Sequence, residues 1–386
     1  MTTPLRILLI SHTCQSRDEG HRRAECLARM PGIDLRVLVP DLWKEYGQWR
    51  RPEKALSDTF AYEIGPTALR WAGPAQNYLF FYPFLARTLH QFQPDVIDLW
   101  EEPWAAVSAQ TCFLRDRVVP RAKIVSETEQ NINRHLPPPF EAMRRYVLQH
   151  ADFAVGRTAE ALEVDRAKGY AGPGAVVPNS VNTERFQPMD RAACRRALDL
   201  PEDAKQGFLL GYVGRLVEEK GLADMVNALR FCGPEIHCVF LGGGPCKEAL
   251  VQLAQSLGKT KQVHFLPRRP QEELPALMNA LDALALVSHT TITWKEQFGR
   301  VIIEAHACGT PVIGSRSGAI PKVVGAGGMI VPEHDPEALA QAVTHLHAHP
   351  AEAREIGERG RAQVQARYTW ERTAAQMYEI YRSLCG

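Results

Sequence analysis

The sequence predicts an α/β protein built from two doubly wound parallel-sheet, Rossmann-like domains facing a cleft. Three observations predict it. Short apolar runs of strand character alternate with helical stretches almost throughout the chain. The alternation stops in the polar stretch 180–206 and restarts at Phe208. The 386 residues exceed one ordinary core and fit two domains of about 180 residues, each able to bury most of its apolar surface.

In the first half the predicted strands are 7–11, 35–39, 96–99, 124–126 and 153–155, apolar runs bounded by turn residues. In the second half they are 208–213, 237–241, 263–266, 282–287 and 311–313. The segment 299–308 reads as a helix stopped by Gly309, with Pro311 opening the next strand. Trp370, Met377, Ile380, Tyr381 and Leu384 recur near helical spacing, so the last helix needs a partner surface, and the first domain is the expected one. The domain junction is expected near Pro188, which gives domains 1–188 and 189–369, with 370–386 packing back on the first. Ligands of such sheets are expected at the carboxyl ends of the strands.

Composition excludes several classes. Forty-five basic and forty-four acidic residues give a net charge of +1, and no long basic run occurs, so there is no electrostatic footprint for nucleic acid. Nine cysteines, odd in number and without a Cys-x-x-Cys pair, point to reduced thiols of a cytosolic protein, most of them core residues. The apolar run 7–10 is too short for a signal peptide, and no run reaches about 18 apolar residues, so a soluble chain is expected. His345, His347 and His349 make a weak metal cluster, because alternate helical residues diverge and no acidic ligand accompanies them in the sequence pattern; no metal site is expected.

The most informative stretch is Glu296-Gln-Phe-Gly299-Arg-Val-Ile-Ile-Glu304-Ala, a loop turning into a helix after a short apolar strand. The free amides at a helix N-terminus suit an anion. Helical side chains lean back toward the N-terminus, so Glu304, about one and a half turns in, can present its carboxylate beside Glu296. Carboxylates repel phosphate and accept hydrogen bonds from hydroxyls, so the combination suits a ligand with both a phosphate and polyols, such as a nucleotide sugar. The second element is Gly211-Tyr-Val-Gly214-Arg215-Leu-Val-Glu-Glu-Lys220-Gly221, whose two cations can grip a diphosphate and offset the charge of a departing one. Alone, that stretch would read as a solvated loop; the two glutamates reverse the odds. Gly242-Gly-Gly-Pro245 lacks the spacing of a dinucleotide loop, which rules against a dehydrogenase.

These motifs, together with Val177-Pro-Asn-Ser-Val-Asn182 and Phe186, resemble the family 4 retaining glycosyltransferases of the two-domain GT-B architecture over essentially the whole chain. The resemblance implies that Arg215 and Lys220 bind the donor diphosphate, Glu304 the ribose hydroxyls and Glu296 the transferred sugar, with Arg215, Lys220 and Glu296 catalytic. It implies further donor contacts from Gly214 and from the backbone of Phe298, Gly299, Arg300 and Val301. Leu266 and Arg268, in Phe265-Leu-Pro-Arg268, match the segment lining the base pocket. The first domain would then bind the acceptor and the second the nucleotide-sugar donor, with no other cofactor. No Asp-x-Asp occurs, which fits fixed cations in place of a divalent ion.

Departures concentrate in the first half. The usual pair of glycines after the first strand is replaced by a longer polar loop with Gly20 alone. Where relatives carry a histidine near the reacting sugar, the chain reads Ser126-Glu-Thr-Glu129-Gln130-Asn131, which assigns that role to Glu129 or Gln130. A frequent Pro-Glu-Val-Val becomes Pro321-Lys322-Val-Val, a surface swap. Glu101-Glu102-Pro-Trp104 follows a strand, so Glu102 can orient an acceptor hydroxyl, at even odds with a mere acidic helix start. The aromatics Trp43, Tyr46, Trp49, Trp71, Tyr78, Phe80, Phe81, Tyr82 and Phe84 suit sugars or lipids, although 78–89 also reads as a helix with a buried face. Arg50 and Arg51 beside Trp49 offer weak peripheral contact with the inner face of a membrane, worth about 2 kcal/mol.

The expected activity is retaining transfer of a hexose from a nucleoside diphosphate, UDP-glucose by default, to a hydroxyl of a glycan, lipid-linked or small-molecule acceptor. Cell-surface polysaccharide or glycolipid synthesis in the cytoplasm is the setting the family suggests. The rivals are a nucleotide-sugar epimerase of the same architecture and a non-catalytic subunit that kept the nucleotide site.

Overall fold

The computed structural model describes residues 4–45, 48–55, 58–69 and 76–386. Tyr46 and Trp71 lie outside them. The chain forms two compact units, the first comprising residues 1–179 and 370–386 and the second 180–369. The junction thus precedes Pro188. The segment after Asn179 is tied into the second unit: Val181 N–H donates to the Tyr368 carbonyl at 2.9 Å, and the Asn279 amide clasps the Gln187 carbonyl and the Met189 N–H at 3.0 and 2.7 Å.

The first unit holds a seven-stranded sheet with strands β1 (Leu5–Ile10), β2 (Ile33–Pro40), β5 (Ala61–Gly65), β6 (Val96–Leu99), β7 (Lys123–Thr128), β8 (Phe153–Gly156) and β9 (Gly174–Val176), in the order β5-β2-β1-β6-β7-β8-β9. Every pairing in it is parallel. The strands β3 (Trp43–Glu45) and β4 (Gln48–Arg50) form a separate antiparallel hairpin. The first unit's core lies on both faces of the sheet, which is why β1 and β6 carry near-continuous apolar runs.

The second unit holds β10 (Phe208–Val213), β11 (Ile236–Leu241), β12 (Val263–Leu266), β13 (Ala283–Leu286), β14 (Val312–Ser315) and β15 (Gly328–Val331), ordered β12-β11-β10-β13-β14-β15 and parallel throughout. Both sheets reverse direction of growth beside their first strand, between β1 and β6 and between β10 and β13. In such sheets the loops leaving those strands diverge and open a crevice at the carboxyl edge.

The edge strands β5, β9 and β15 escape the apolar-run reading, as do β3 and β4. The helix expected over 78–89 is two pieces, Gln76–Leu79 and Leu85–Phe92, separated around Pro83, which removes a backbone donor. The helix Trp370–Cys385 packs on Arg22–Ala28, burying Trp370, Met377, Ile380 and Tyr381 and leaving Leu384 partly covered. All nine cysteines are free, and six are buried. Among the described residues no helix is long and apolar enough to cross a membrane.

An acidic group does accompany the C-terminal histidines. His345 and His349 are four apart, on one helical face, and their rings stack at 4.4 Å; Glu352 meets His345 Nε2 at 2.9 Å. The spacing that matters is 345 to 349, and His347 turns away toward Glu235. A second grouping joins Asp224, His289 and His334, with ligand atoms all within 4.8 Å of one another.

Candidate active site

In the second unit the strand ends carry the motif residues to one edge. After β13 the chain passes Ser288 and returns through Trp294 to Glu296, which is buried. Lys220, in the loop after β10, places Nζ 2.6 Å from Glu296 Oε2 and 4.7 Å from the centre of the Trp294 ring. The Ser288 hydroxyl donates to the same carboxylate oxygen at 2.9 Å. Glu296 is held from behind by the 317–319 turn: the Ala319 N–H donates to its carbonyl at 3.1 Å. A Cβ on Gly318, which has φ +49°, would lie 2.1 Å from that carbonyl oxygen. Only glycine fits there.

The helix Arg300–Ala307 begins directly after this loop, with Gly299 at its N-cap in the left-handed region at φ +78°. The N-cap residue, a glycine, offers no side-chain cap to the amides of the first turn. A side chain at Gly299 would press on Leu286 and Ile302, so the tight turn that aims those amides needs glycine. Glu304 is half-buried on this helix, and Phe298 is buried in the core below it. Val301 and Arg300 lie in its first turn, half-buried.

Arg215 leaves β10 through Gly214 and is exposed, with no hydrogen-bond or ion-pair partner for its guanidinium among the described residues. Its carbonyl accepts from the Tyr212 hydroxyl at 2.8 Å, which fixes the turn that projects the side chain. Leu266 ends β12 with its side chain in the core, so only its backbone is available at the edge, while Arg268 two residues on is exposed. Sequence reasoning missed Ser288, Trp294 and the Ser317–Gly318 turn. A serine ending a buried strand was the signal available.

In the first unit four neighbouring strand ends converge on a pocket of about 260 Å³. His12 and Thr13 follow β1; Trp100, Glu101, Glu102 and Trp104 follow β6; Glu127, Thr128 and Glu129 close β7; Arg157 follows β8. Glu102 Oε1 accepts from the Glu129 N–H at 2.9 Å and Oε2 from the Thr128 hydroxyl at 2.8 Å. Burial pushes Glu102 up to about 8, outweighing those two hydrogen bonds, and the neighbouring Glu129 adds to the rise. His12 stacks on Trp43 at 4.4 Å and places Nδ1 2.8 Å from Glu101. Burial works against its charge, but Glu101 and then Glu129 prevail and raise its pKa.

Beneath the pocket lies a buried ionic network. Arg23 donates to Asp98 at 2.7 Å and to Glu127 at 2.5 Å, Arg157 donates to Glu127, and the Tyr381 hydroxyl donates to Asp98 at 2.5 Å. Arg23 and Arg157 also lie over the Trp100 ring, at 4.4 and 5.1 Å. Burial and the neighbouring Glu127 push Asp98 well above the usual carboxylate range; Arg157 and Arg23 hold Glu127 below it despite burial.

The structure thus brings Glu102 and Glu129 into the pocket. It does not bring in Gln130 or Gly20. Gln130 is buried, with Oε1 accepting from the Ile132 N–H, and Gly20 sits against Cys14, where a Cβ would fall 2.2 Å from the Cys14 Cα. His12, Thr13 and Arg157 were missed, and their one signal was position directly after a strand. Of the aromatics, Trp43, Phe80 and Tyr82 are core, and Trp49 is exposed.

Residues 197–363 match the family described as Glycosyl transferases group 1. Over 312 residues the chain is 30% identical to the D-inositol 3-phosphate glycosyltransferase of Corynebacterium jeikeium, which covers 74% of this chain and 68% of that protein. The chain belongs to the group 1 glycosyl transferases. The enzyme of the same name from Corynebacterium urealyticum is 35% identical over 266 residues, 64% of this chain, and the chain spans 60% of its length. Among solved structures, Anabaena Alr3699/HepE in complex with UDP superposes with a TM-score of 0.74 at 18% identity, covering 98% of this chain and all of that one. At that identity the likeness is one of fold, and it is the GT-B fold. For this group 1 transferase the matched region contains Arg215, Lys220, Glu296 and Glu304, whereas the pocket of the first unit lies outside it.

Proposed function

We propose that the chain is a retaining hexosyltransferase that moves a hexose from a nucleoside diphosphate, UDP-glucose by default, to a hydroxyl of a polyol or glycan acceptor. It works in the cytoplasm, without a metal or other cofactor. The observation that carries this reading is the Lys220–Glu296 contact of 2.6 Å beside the uncapped start of the helix Arg300–Ala307. An ammonium, a hydroxyl-accepting carboxylate and the positive end of a helix together match a sugar joined to a diphosphate.

In this reading Arg215 and Lys220 take the diphosphate oxygens, and the helix amides add their dipole. Glu296 orients the hexose hydroxyls and Glu304 the ribose. The bond from the sugar C1 to the leaving phosphate oxygen breaks while the acceptor oxygen bonds to the same face of C1, and the acceptor proton passes to the leaving phosphate. Charge that grows on that phosphate is met by fixed cations, a contribution worth about 10²–10³ in rate per donor group. The first unit supplies the acceptor pocket, where Glu102 and Glu129 hold the attacking hydroxyl.

The test is thermal stabilisation by UDP, GDP and ADP and by their hexose conjugates, followed by turnover with a polyol acceptor. One nucleotide should raise the melting temperature by mass action, and Lys220→Ala and Glu304→Ala should lose the shift. No shift with any nucleotide would overturn the reading. Conversion of the donor without acceptor to an epimeric nucleotide sugar would point to the epimerase instead.

A further inference from the structure

We infer that the pocket of the first unit takes a polyol that carries no phosphate, a neutral or an aminated one. The inference rests on the transferase reading above and names its acceptor class. The relatives' names specify an inositol phosphate, so this chain would differ from them in a chemically definite way.

The argument is one of charge at the pocket wall. Four carboxylates line it, Glu101, Glu102, Glu127 and Glu129, against Arg157 and His12. Both cations are already committed. Arg157 donates through its two terminal nitrogens to Glu127 and to the Val177 carbonyl, the latter at 3.1 Å; its Nε makes no hydrogen bond but is buried out of reach of solvent. His12 is matched by Glu101 at 2.8 Å. With Glu102 protonated and His12 charged, three carboxylates line the pocket against two lining cations, both paired, and Arg23 beneath is already shared between Glu127 and Asp98.

A phosphate monoester brings a charge of about −1.5 to −2 near neutral pH and needs cationic or N–H donors to replace its water. Among the described residues lining the pocket none is a cation free to do so. Arg23 is fully buried and bound to Asp98 and Glu127.

Hydroxyl and ammonium groups meet the opposite situation. The Glu129 side chain is 40% exposed and its nearest ion-pair contact is Arg157 Nε at 3.7 Å, too long for a hydrogen bond, so its oxygens remain good acceptors. Thr13 and the partly exposed ring of Tyr78 complete a wall of hydroxyl-sized contacts and an aromatic face, the usual means of holding a sugar or cyclitol ring.

The experiment uses the full chain with UDP-glucose and three acceptors: myo-inositol, inositol 3-phosphate and glucosamine. Product is followed by mass spectrometry, and kcat/KM is compared. Transfer to glucosamine or inositol at least tenfold above the phosphate ester supports the proposal. So does a Glu129→Lys variant whose ratio moves at least tenfold toward the phosphate ester through KM. Glu129→Gln should lower the preference for glucosamine over inositol, and serves if the lysine variant misfolds. Preference for inositol 3-phosphate in the wild type overturns the proposal, as does an unchanged ratio in both variants. Transfer to none of the three, with donor stabilisation intact and lost in Lys220→Ala, overturns the acceptor class while leaving the donor reading standing. Absence of donor stabilisation is the separate failure of the transferase reading itself.

Discussion

The two units share a strand order and differ in how they hold charge. At the edge of the second sheet the charges are few and partly open: Lys220 rests on Glu296, and Arg215 projects into solvent. At the edge of the first sheet the pocket is acidic and stands on a buried network in which Arg23 is fully enclosed. The same topology therefore delivers one edge with an open cation, Arg215, and one pocket lined by carboxylates. Strand order decides where a site lies, and the few residues after each strand decide what it recognises.

The comparison can be broken most forcefully at its buried member. Arg23→Met leaves Asp98 and Glu127 with less compensation and should destabilise the first unit by about 3–5 kcal/mol in chemical denaturation. Donor binding by the second unit should survive in mild conditions. A loss below 1 kcal/mol would mean that the network is not what supports the pocket.

Lys220→Ala tests the open member. Turnover should fall about 10²–10³-fold, or roughly 2.7–4 kcal/mol, with little change in the melting temperature of the unliganded protein. Lys322→Ala, an exposed cation in the same unit, serves as the control and should leave both unchanged. Equal losses would remove the distinction between the site cations and the surface.

Tyr381→Phe removes one hydroxyl from Asp98 and should cost about 1–3 kcal/mol, read by denaturant midpoint. The smallest effect sharpens the comparison through pH. Because Glu102 titrates near 8 when folded and near 4.5 in the unfolded chain, the native state holds more protons between those values. Stability from this group is then full below about pH 4.5 and is lost as pH rises toward 8, by at most about 1.4 kcal/mol per pH unit and less where the pocket is wet. Glu102→Gln should flatten that slope; an unchanged slope would assign the pH dependence elsewhere.

The sequence revealed the second site more fully than the first, for a physical reason. Glu296, Gly299 and Glu304 belong to one contiguous loop and helix start, so their geometry follows from local rules about helix termini and side-chain direction. His12, Glu102, Glu129 and Arg157 come from four strands far apart in sequence, and only the order β1-β6-β7-β8 makes them neighbours. The central strands were readable as apolar runs. Of the four sheet edges only β12 was: β5 is Ala-Tyr-Glu-Ile-Gly with an exposed isoleucine, β9 has three residues, and β15 begins in a run of glycines. Half-covered strands lack the continuous apolar signal that buried parallel ones carry.

The division of the chain has a consequence for its synthesis. The second unit enters at Ser180 and leaves at Thr369, and Val181 bridges Thr369 in parallel, so it is a looped-out insert whose own ends already touch. The first unit, by contrast, waits. When residues 1–179 emerge from the ribosome, Asp98 has no Tyr381 hydroxyl, and the apolar face later covered by Trp370, Met377 and Ile380 is bare. The insert can fold to completion while its host is still unfinished. The nascent chain therefore carries a complete second unit before the helix Trp370–Cys385 has covered the apolar face of the first.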